Sequence, residues 1–323
     1  MLALFCRRPC PNIQFTTGTE SAMTTQKPTI LAGIEAGGTK FNCVVANAVG
    51  DILHQQIFPT RLPEQTLTDV AAYFTSQSQR FGTIGALGIA SFGPVDLDTR
   101  SPQFGHILST PKVGWSHYDL RGFFAKTFAA PIGFETDVNG ALLGEYTQGA
   151  AAGLRHAAYV TIGTGIGAGF LVNGQLLQGL SHPEIGHSFL ARHPQDSFIG
   201  NCPFHQDCVE GLAAGPAITA RWGASNSLPP DHAAWSLQAF YVAQLCVNIT
   251  HFIGPEVIIL GGGVMQQAHL FPLIRAEFKR LINGYCSEAL LQRLDTYIVP
   301  PLLGNNAGQI GALYLAARAL QGD

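Results

Sequence analysis

Apolar runs that end in glycine-rich turns constrain the fold of this chain more than any other feature of its sequence. The run TILAGIEA leads into a turn at residues 37–39 and then into a second apolar run, a pattern that predicts a β-hairpin. The pattern repeats in AAYVTIGTGIGAGFLVNGQLL, where residues 163–165 form the turn and Asn173-Gly174 is typical of a tight hairpin loop. One such hairpin in each half of the chain predicts two related lobes.

A third glycine turn has different surroundings. The buried-strand pattern VIIL runs into residues 261–263, and a helix is predicted from about Gln266. Helical spacing of apolar residues also occurs in TDVAAYFTSQSQRFG, DVNGALLGEYTQGAA, GPAITARWGA, AAWSLQAFYVAQLCVNITHFIG and AGQIGALYLAARALQ. Alternating strands and helices predict an α/β fold, with two lobes that face each other across a cleft.

The length of 323 residues also favours two domains over a single core. We expect an N-terminal α/β lobe over residues 27–140, completed by a C-terminal helix at 306–323, and a C-terminal α/β lobe over 141–305. Residues 1–26 are expected to be a disordered or non-native extension; residues 1–22 lack the apolar core and the small-residue cleavage site of a signal peptide. Met23 is the expected start of translation, and a short targeting arm is the alternative.

Charge and cysteine content exclude several classes of function. A net charge of -3 gives no basic surface for nucleic acid or anionic lipid, and no segment is long and apolar enough to span a bilayer. Seven scattered cysteines are an odd number in a long chain, which is unlike a disulfide framework. The sequence therefore predicts a cytoplasmic protein that binds small molecules and neither nucleic acid nor membrane.

Glycine turns of this kind can bind phosphate. Without side chains, successive backbone N–H groups approach an anion closely, and Thr39 and Thr164 would add hydroxyl donors. For any one turn alone, a purely structural role explains the glycines at least as well, because hairpin turns need residues with positive φ. The prediction of phosphate binding therefore depends on the three turns together. The P-loop pattern is absent, and GTGIGAG lies in a hairpin instead of opening a helix, which disfavours a dinucleotide-binding fold.

A carboxylate follows the apolar run PIGF, at the predicted start of a helix. Asp137 could accept the proton of a substrate hydroxyl as it attacks the γ-phosphate of ATP, the role that an aspartate has in kinases. The alternative is structural, because Thr136 and Asp137 are both good helix N-caps.

One segment, HPEIGHSFLARHPQDSFIGNCPFHQDCVEG, gathers four histidines and two cysteines. Cys202, His205 and Cys208 have a spacing that suits tetrahedral zinc, and the alternative is two unpaired thiols among surface histidines. The fourth ligand is open, with three upstream candidates: His182, His187 and His193. Four protein ligands would close the site, so the metal would be structural. The clamped loop would hold Glu184 and Glu210, and such carboxylates suit sugar hydroxyls.

Together these motifs resemble the ROK family of sugar kinases and repressors, and within it the bacterial zinc-containing fructokinase branch. The resemblance covers about residues 27–320 and rests on these motifs: GIEAGGTK, GIASFGPVD, TPKVGW, ETDVNGALLGE, TIGTGIGAG, HPEIGH, CPFHQDCVEG and ILGGGV. It implies a two-lobed actin-like ATPase (ribonuclease H-like) fold, phosphorylation of a hexose with Mg-ATP, and a homodimer.

The resemblance also implies a role for each matching residue. Asp137 is the expected base. The expected sugar contacts also include Gly93, Pro94, Thr136, Glu184, His187 and Glu210. The expected ATP-binding residues are Glu35, Gly37, Gly38, Thr39, Lys40, Thr164, Gly165, Gly262 and Gly263. The expected structural zinc ligands are His187, Cys202, His205 and Cys208.

Three departures from the usual family motifs affect the choice of sugar. Glu35 stands where the first phosphate motif commonly has aspartate, and Thr136 stands where glucokinase-like members have asparagine. His205 replaces the middle cysteine of the usual metal signature. All three coincide with the fructokinase branch, so D-fructose is the expected substrate and its 6-hydroxyl the expected acceptor.

Two alternatives stay open from the sequence. The first is a sugar-responsive repressor of the same family, which would carry a basic helix-turn-helix domain before the first phosphate motif. About 26 residues precede that motif here, too few for such a domain. The second alternative is a kinase for mannose, glucose or an N-acetylated amino sugar.

Overall fold

A computed structural model describes residues 28–223 and 227–322 of the chain. The expectations for residues 1–26, including translation from Met23, lie outside these ranges. The described chain divides into two compact units. The residues up to Gly153 and those from Asn305 onward form the first unit, and Leu154–Gly304 form the second.

The elements alternate between strands and helices along the chain. Up to Gly153 they are β1 (Thr29–Ala36), β2 (Lys40–Asn47), β3 (Ile52–Pro59), α1 (Pro63–Phe81), β4 (Thr83–Ser91), α2 (Leu120–Thr127), β5 (Ile132–Thr136) and α3 (Asp137–Gln148). From Leu154 they are β6 (Ala157–Ile162), β7 (Ile166–Val172), β8 (Gln175–Leu176), α4 (Val209–Ala213), α5 (Gly215–Trp222), α6 (Ala233–Phe252), β9 (Val257–Gly261), α7 (Leu270–Ile282), α8 (Glu288–Leu291), α9 (Leu294–Tyr297), β10 (Ile298–Val299) and α10 (Ala307–Gln321).

The two sheets have the same strand order and the same strand directions. The order is β3-β2-β1-β4-β5 in the first unit and β8-β7-β6-β9-β10 in the second. In each sheet the first three strands form an antiparallel meander and the last two join in parallel. The predicted α/β fold with two related halves is confirmed.

Both predicted hairpins are confirmed by the strand register. Ala36 pairs with Phe41 across the first glycine turn, and Ile162 pairs with Ile166 across the second. Asn173 and Gly174 have φ values of 57° and 77°, so they form the two-residue loop that joins β7 to β8.

The inner strands of the first sheet are buried on both faces. Alternate β1 side chains point to opposite sides: Ile34 packs in a cluster with residues of α1 and α2, whereas Leu31 packs against Leu313 and Ala316 of α10. A strand covered by helices on both sides needs apolar residues at nearly every position, which explains the continuous run TILAGIEA.

Helices α3 and α10 pack against each other within the first unit. Their backbones approach so closely that a Cβ on Gly311 would lie 1.7 Å from the carbonyl oxygen of Gly140. The predicted lobe boundary between residues 140 and 141 falls inside α3. It is therefore corrected to a position after Gly153, because this packing keeps the whole helix with the first unit.

The second unit has its core between its sheet and helices α6 and α7. The helix predicted from about Gln266 begins later, at Leu270. Val264 and Met265 are buried in a 3-10 turn that directly follows the glycines after β9, so the chain completes this turn before α7 starts.

Within residues 28–223 and 227–322, no helix has both the length and the apolar composition that crossing a bilayer requires.

Candidate active site

The first glycine turn closes the β1–β2 hairpin and has an exposed tip. The Gly37 N–H donates to the Lys40 carbonyl at 2.9 Å, and the Thr60 hydroxyl donates to the Gly37 carbonyl at 2.7 Å. Gly38, Thr39 and Lys40 are exposed. The turn is therefore fixed at its base, while its tip can meet a ligand.

Glu35 lies on β1 just before this turn and is partly buried. The Asn42 side-chain amide donates to its Oε2 at 2.7 Å. Burial raises the pKa of Glu35, and the Asn42 hydrogen bond and the Lys40 charge oppose that rise. A Cβ on Gly308 of α10 would lie 2.4 Å from the Glu35 Cδ, so Gly308 leaves the space that this carboxylate occupies.

Asp137 is the first residue of α3 and directly follows β5. The N-cap of the helix is Thr136, which is buried and whose Oγ1 accepts from the Asn139 N–H at 3.1 Å. The Asp137 Oδ1 accepts from the Val138 N–H at 2.8 Å, and the Asn139 side-chain amide donates to Glu135 at 2.8 Å. Thr136 is therefore the N-cap, and Asp137 makes a separate bond to the first turn of the helix.

Gly93 and Pro94, joined by a cis peptide bond, follow β4. The Phe92 N–H donates to the Ala36 carbonyl at 2.7 Å, and the Pro94 carbonyl accepts from the Leu108 N–H at 2.8 Å. The Phe92 bond to Ala36 places Gly93 and Pro94 near the start of the first glycine turn.

The second glycine turn joins β6 to β7 and contacts the third. The Gly163 N–H donates to the Gly165 carbonyl at 2.9 Å, and Thr164 at the tip is exposed. A Cβ on Gly163 would lie 3.7 Å from the backbone nitrogen of Gly263. Gly262 has φ 90° and packs against the end of β6. The second and third glycine turns therefore lie side by side in the second unit.

Four side chains form a cluster that could hold a metal ion: His187, Cys202, His205 and Cys208. Their nearest ligand atoms all lie within 4.8 Å of one another. The Cys202 Sγ lies 3.7 Å from the His187 Nδ1 and 3.8 Å from the His205 Nδ1, and the Cys208 Sγ lies 3.7 Å from the His187 Nδ1. Of the three upstream histidines left open by spacing, the cluster contains His187.

The separations in this cluster fit a tetrahedral metal ion. Zn–S bonds of about 2.3 Å and Zn–N bonds of about 2.0–2.1 Å place sulfur and nitrogen ligands about 3.6 Å apart. Burial raises the pKa of the Cys208 thiol to about 11 when no cation is bound, and the nearby Cys202 adds to the rise. A bound cation would favour the thiolate instead, because the thiolate is the form that ligates metal.

Two carboxylates lie near this cluster. Glu184 directly precedes the 3-10 turn that ends at His187. The Glu184 side chain is 46% exposed. Burial raises the pKa of Glu184, with His187 opposing the rise and the Glu210 charge adding to it. Glu210 lies in α4, and its Oε2 accepts from the Ile166 N–H at 2.9 Å. The structure thus joins Glu210 to the second glycine turn, a contact that the sequence did not predict.

A buried ion pair anchors the loop between His187 and Cys202. The Arg221 guanidinium of α5 lies 2.7 Å from the Asp196 carboxylate, and the two side chains are 6% and 4% exposed. The Tyr241 hydroxyl donates to the same carboxylate oxygen at 2.6 Å. No pattern in the sequence predicts this network, because its members are far apart in the chain and follow no motif.

Comparisons with known proteins agree over nearly the whole chain. Residues 31–319 match the sequence model of the ROK family. A protein from Bacillus subtilis (strain 168) is 49% identical over 296 residues, which are 91% of this chain and 97% of that protein. The fructokinase of Pediococcus pentosaceus is 44% identical over 293 residues, which are 90% of this chain and 99% of the relative.

A solved structure shows the fold. The ROK family glucokinase from Streptomyces griseus, in complex with glucose and AMPPNP, superposes with a TM-score of 0.71 at 23% identity, over 90% of this chain and 99% of its own. The fold is the actin-like ATPase fold of the ROK sugar kinases.

Proposed function

The chain belongs to the ROK family and is an ATP-dependent hexose kinase, and we propose that its acceptor is the 6-hydroxyl of D-fructose. One observation carries the choice of sugar: a fructokinase matches the chain at 44% identity across 99% of its own length. Phosphorylation of fructose with ATP and Mg²⁺ is therefore the function.

The proposed reaction is a direct transfer with one base. The 6-oxygen of the sugar forms a bond to the γ-phosphorus of ATP, the bond between that phosphorus and the β,γ-bridging oxygen breaks, and ADP leaves. The Asp137 carboxylate takes the proton of the hydroxyl. Asp137 is the first residue of α3, and the N-cap of that helix is the preceding residue, Thr136; this position supports the role of Asp137 as the base. Gly93, Pro94 and Thr136 are the proposed sugar contacts of the same unit.

The glycine turns are the proposed binding sites for the nucleotide. Exposed backbone N–H groups and hydroxyls suit phosphate oxygens, and Mg²⁺ bound with ATP neutralises charge on the β- and γ-phosphates. Glu35 is the carboxylate that we assign to Mg²⁺. The proposed ATP contacts of the turns are Gly37, Gly38, Thr39, Lys40, Thr164, Gly165, Gly262 and Gly263.

We assign a structural zinc ion to His187, Cys202, His205 and Cys208. Two thiols and two imidazoles at near-tetrahedral separations support this metal. Since the Nδ1 atom of His187 faces the thiols, its Nε2 atom is the one assigned to a sugar hydroxyl. Glu184 and Glu210 are the other proposed sugar contacts of this unit.

The proposal also includes a cytoplasmic homodimer without a nucleic-acid partner. Within residues 28–223 and 227–322 no cysteine is in a disulfide, which suits a reducing compartment; these cysteines are Cys43, Cys202, Cys208, Cys246 and Cys286. Sedimentation of the purified protein would test the dimer.

The test of the proposed function is ADP release with Mg-ATP against equal concentrations of fructose, mannose, glucose and N-acetylmannosamine. We expect fructose to give the highest kcat/KM. A higher value for another sugar would reassign the substrate, and no release with any sugar would favour a sugar-binding regulator.

Asp137→Asn tests the base in the same assay. Turnover should fall by about 10²–10⁴-fold, the usual contribution of general-base catalysis. AMPPNP binding and the melting temperature should stay near the wild-type values, because Thr136 still caps α3. Wild-type turnover in this variant would remove Asp137 from the mechanism.

A further inference from the structure

We propose that Glu210 is a positioning residue for ATP: its carboxylate sets the conformation of the second glycine turn, in addition to its proposed contact with the sugar. This inference rests on the proposed function, because it takes the turn to bind phosphate. It gives one side chain a part in the binding of both substrates.

The first observation is the contact at the β7 end of the turn. The Ile166 N–H donates to the Glu210 Oε2 at 2.9 Å. A Cβ on Gly165 would lie 2.7 Å from the same oxygen, so the carboxylate lies directly against the turn. An acceptor oxygen placed at this distance from a backbone N–H can select one conformation of a flexible glycine segment.

The β6 end of the turn is held by the same stretch of chain. The Gly163 carbonyl accepts from the N–H of Gly215 at 2.7 Å, and Gly215 is the first residue of α5. Glu210 and Gly215 therefore fix the two ends of the turn from two consecutive short helices. Without the Glu210 contact, α4 and α5 would hold the turn only at its β6 end, through Gly215.

The supporting stretch is continuous with the metal-ligand cluster. Cys208 is the residue before α4, and its carbonyl accepts from the Leu212 N–H at 3.0 Å. On the opposite side, a Cβ on Gly186 would lie 1.9 Å from the Ile166 carbonyl oxygen, so the residue before His187 also packs against Ile166. The cluster thus supports both the carboxylate and the residue to which it bonds.

This arrangement predicts an effect that a sugar contact alone would not have. If Glu210 only met a sugar hydroxyl, its removal would raise the KM for fructose and leave nucleotide binding in the absence of sugar unchanged. If it positions the turn, its removal weakens nucleotide binding even when no sugar is present.

The experiment measures the affinity of Mg-AMPPNP, without sugar, by calorimetry on the full chain. Glu210→Ala and Glu210→Asp should weaken binding by about tenfold, because neither side chain can accept from the Ile166 N–H at the present distance. Glu210→Gln keeps an acceptor oxygen of the same reach, so its affinity should stay within about twofold of wild type. Glu184→Ala is the matched control, since it removes the other proposed sugar carboxylate and keeps the Glu210–Ile166 bond.

Metal content and melting temperature are recorded for each variant. If Glu210→Ala does not fold, the affinity of Glu210→Asp decides the outcome. Wild-type nucleotide affinity in Glu210→Ala or Glu210→Asp, together with a raised KM for fructose, would overturn the inference and leave the proposed function standing. Failure of the wild-type protein to bind Mg-AMPPNP would count against both. Equal weakening in Glu184→Ala would also overturn the inference, because the effect would then not follow the Ile166 bond.

Discussion

At the scale of single residues, Gly308 has a function that depends on Glu35. Gly308→Ala should lower the free energy of unfolding by about 1–3 kcal/mol, because the new Cβ displaces the Glu35 carboxylate and breaks its bond from Asn42. The gain of about 1 kcal/mol in helix propensity offsets part of the cost of the lost contact.

A double-mutant cycle by urea unfolding checks the Gly308 prediction. Glu35→Asp shortens the side chain by one methylene, so Gly308→Ala should cost much less in that background. Additive effects of the two substitutions would mean that Gly308 does not make room for Glu35.

The environment of Asp196 should make the free energy of unfolding depend on pH. Although burial opposes its ionisation, hydrogen bonds from the Tyr241 hydroxyl and the Phe198 N–H and the charge of Arg221 hold the pKa of Asp196 below its usual range. A lowered folded-state pKa gives stability that is fully present above the unfolded-state value of about 3.9 and is lost as the pH falls through the folded-state value.

Asp196→Asn isolates this contribution. The variant should be less stable than wild type by about 3 kcal/mol at neutral pH, because Arg221 is left buried without its partner. The difference in urea midpoint should be constant from about pH 5 to 8 and should narrow below about pH 4. Both proteins are measured with chelator present, so that release of metal does not contribute; a difference that stays constant down to about pH 2 would contradict the assignment.

The role of a residue could be predicted from the sequence where its partners lie only a few positions away in the chain. Thr136 was named as a possible cap and is the cap, and Cys202, His205 and Cys208 do come together, since each pattern spans only a few positions. Gly308 could not be found in this way, because its role depends on a residue in β1 at the other end of the chain.

At the scale of elements, the stretch between β8 and α4 has a single 3-10 turn among its described residues and no strand or longer helix. With so little regular structure, the four proposed metal ligands should contribute to its stability beside the Asp196–Arg221 pair and a few backbone bonds. Removal of metal with chelator should lower the melting temperature and should speed proteolytic cleavage within residues 188–201.

Elemental analysis and two cysteine variants test the metal prediction. Cys202→Ser should behave like the chelated protein and respond little to chelator. Cys286→Ser removes a free thiol outside the cluster, so it should keep its metal and the full response. Purified protein without stoichiometric zinc would contradict the assignment.

Element type was predictable where a strong turn signal lay beside an apolar run. Both glycine hairpins formed as expected, because glycines and Asn-Gly set the turn locally. The start of α7 was misplaced because Val264 and Met265 are drawn into the core, and no local pattern indicates which apolar residues the rest of the fold will bury.

At the scale of the whole molecule, the repeated hairpins were enough to predict two related halves, and the matching order of the two sheets confirms them. The boundary between the halves was not predictable to the same degree. It depends on the close approach of Gly140 and Gly311, two glycines on helices far apart in sequence, and glycine in a helix gives no sign of what packs against it.

The position of α10 has a consequence for synthesis on the ribosome. Leu313, Ala316 and Ala317 complete the core face that includes Leu31 and Val44, so the first sheet to be translated lacks its covering helix until α10 itself has emerged. The second unit is one uninterrupted segment, and all of its residues are translated before α10. We therefore expect the half that is made second to be the first to finish folding, a reversal of the usual order in which domains fold as they are made.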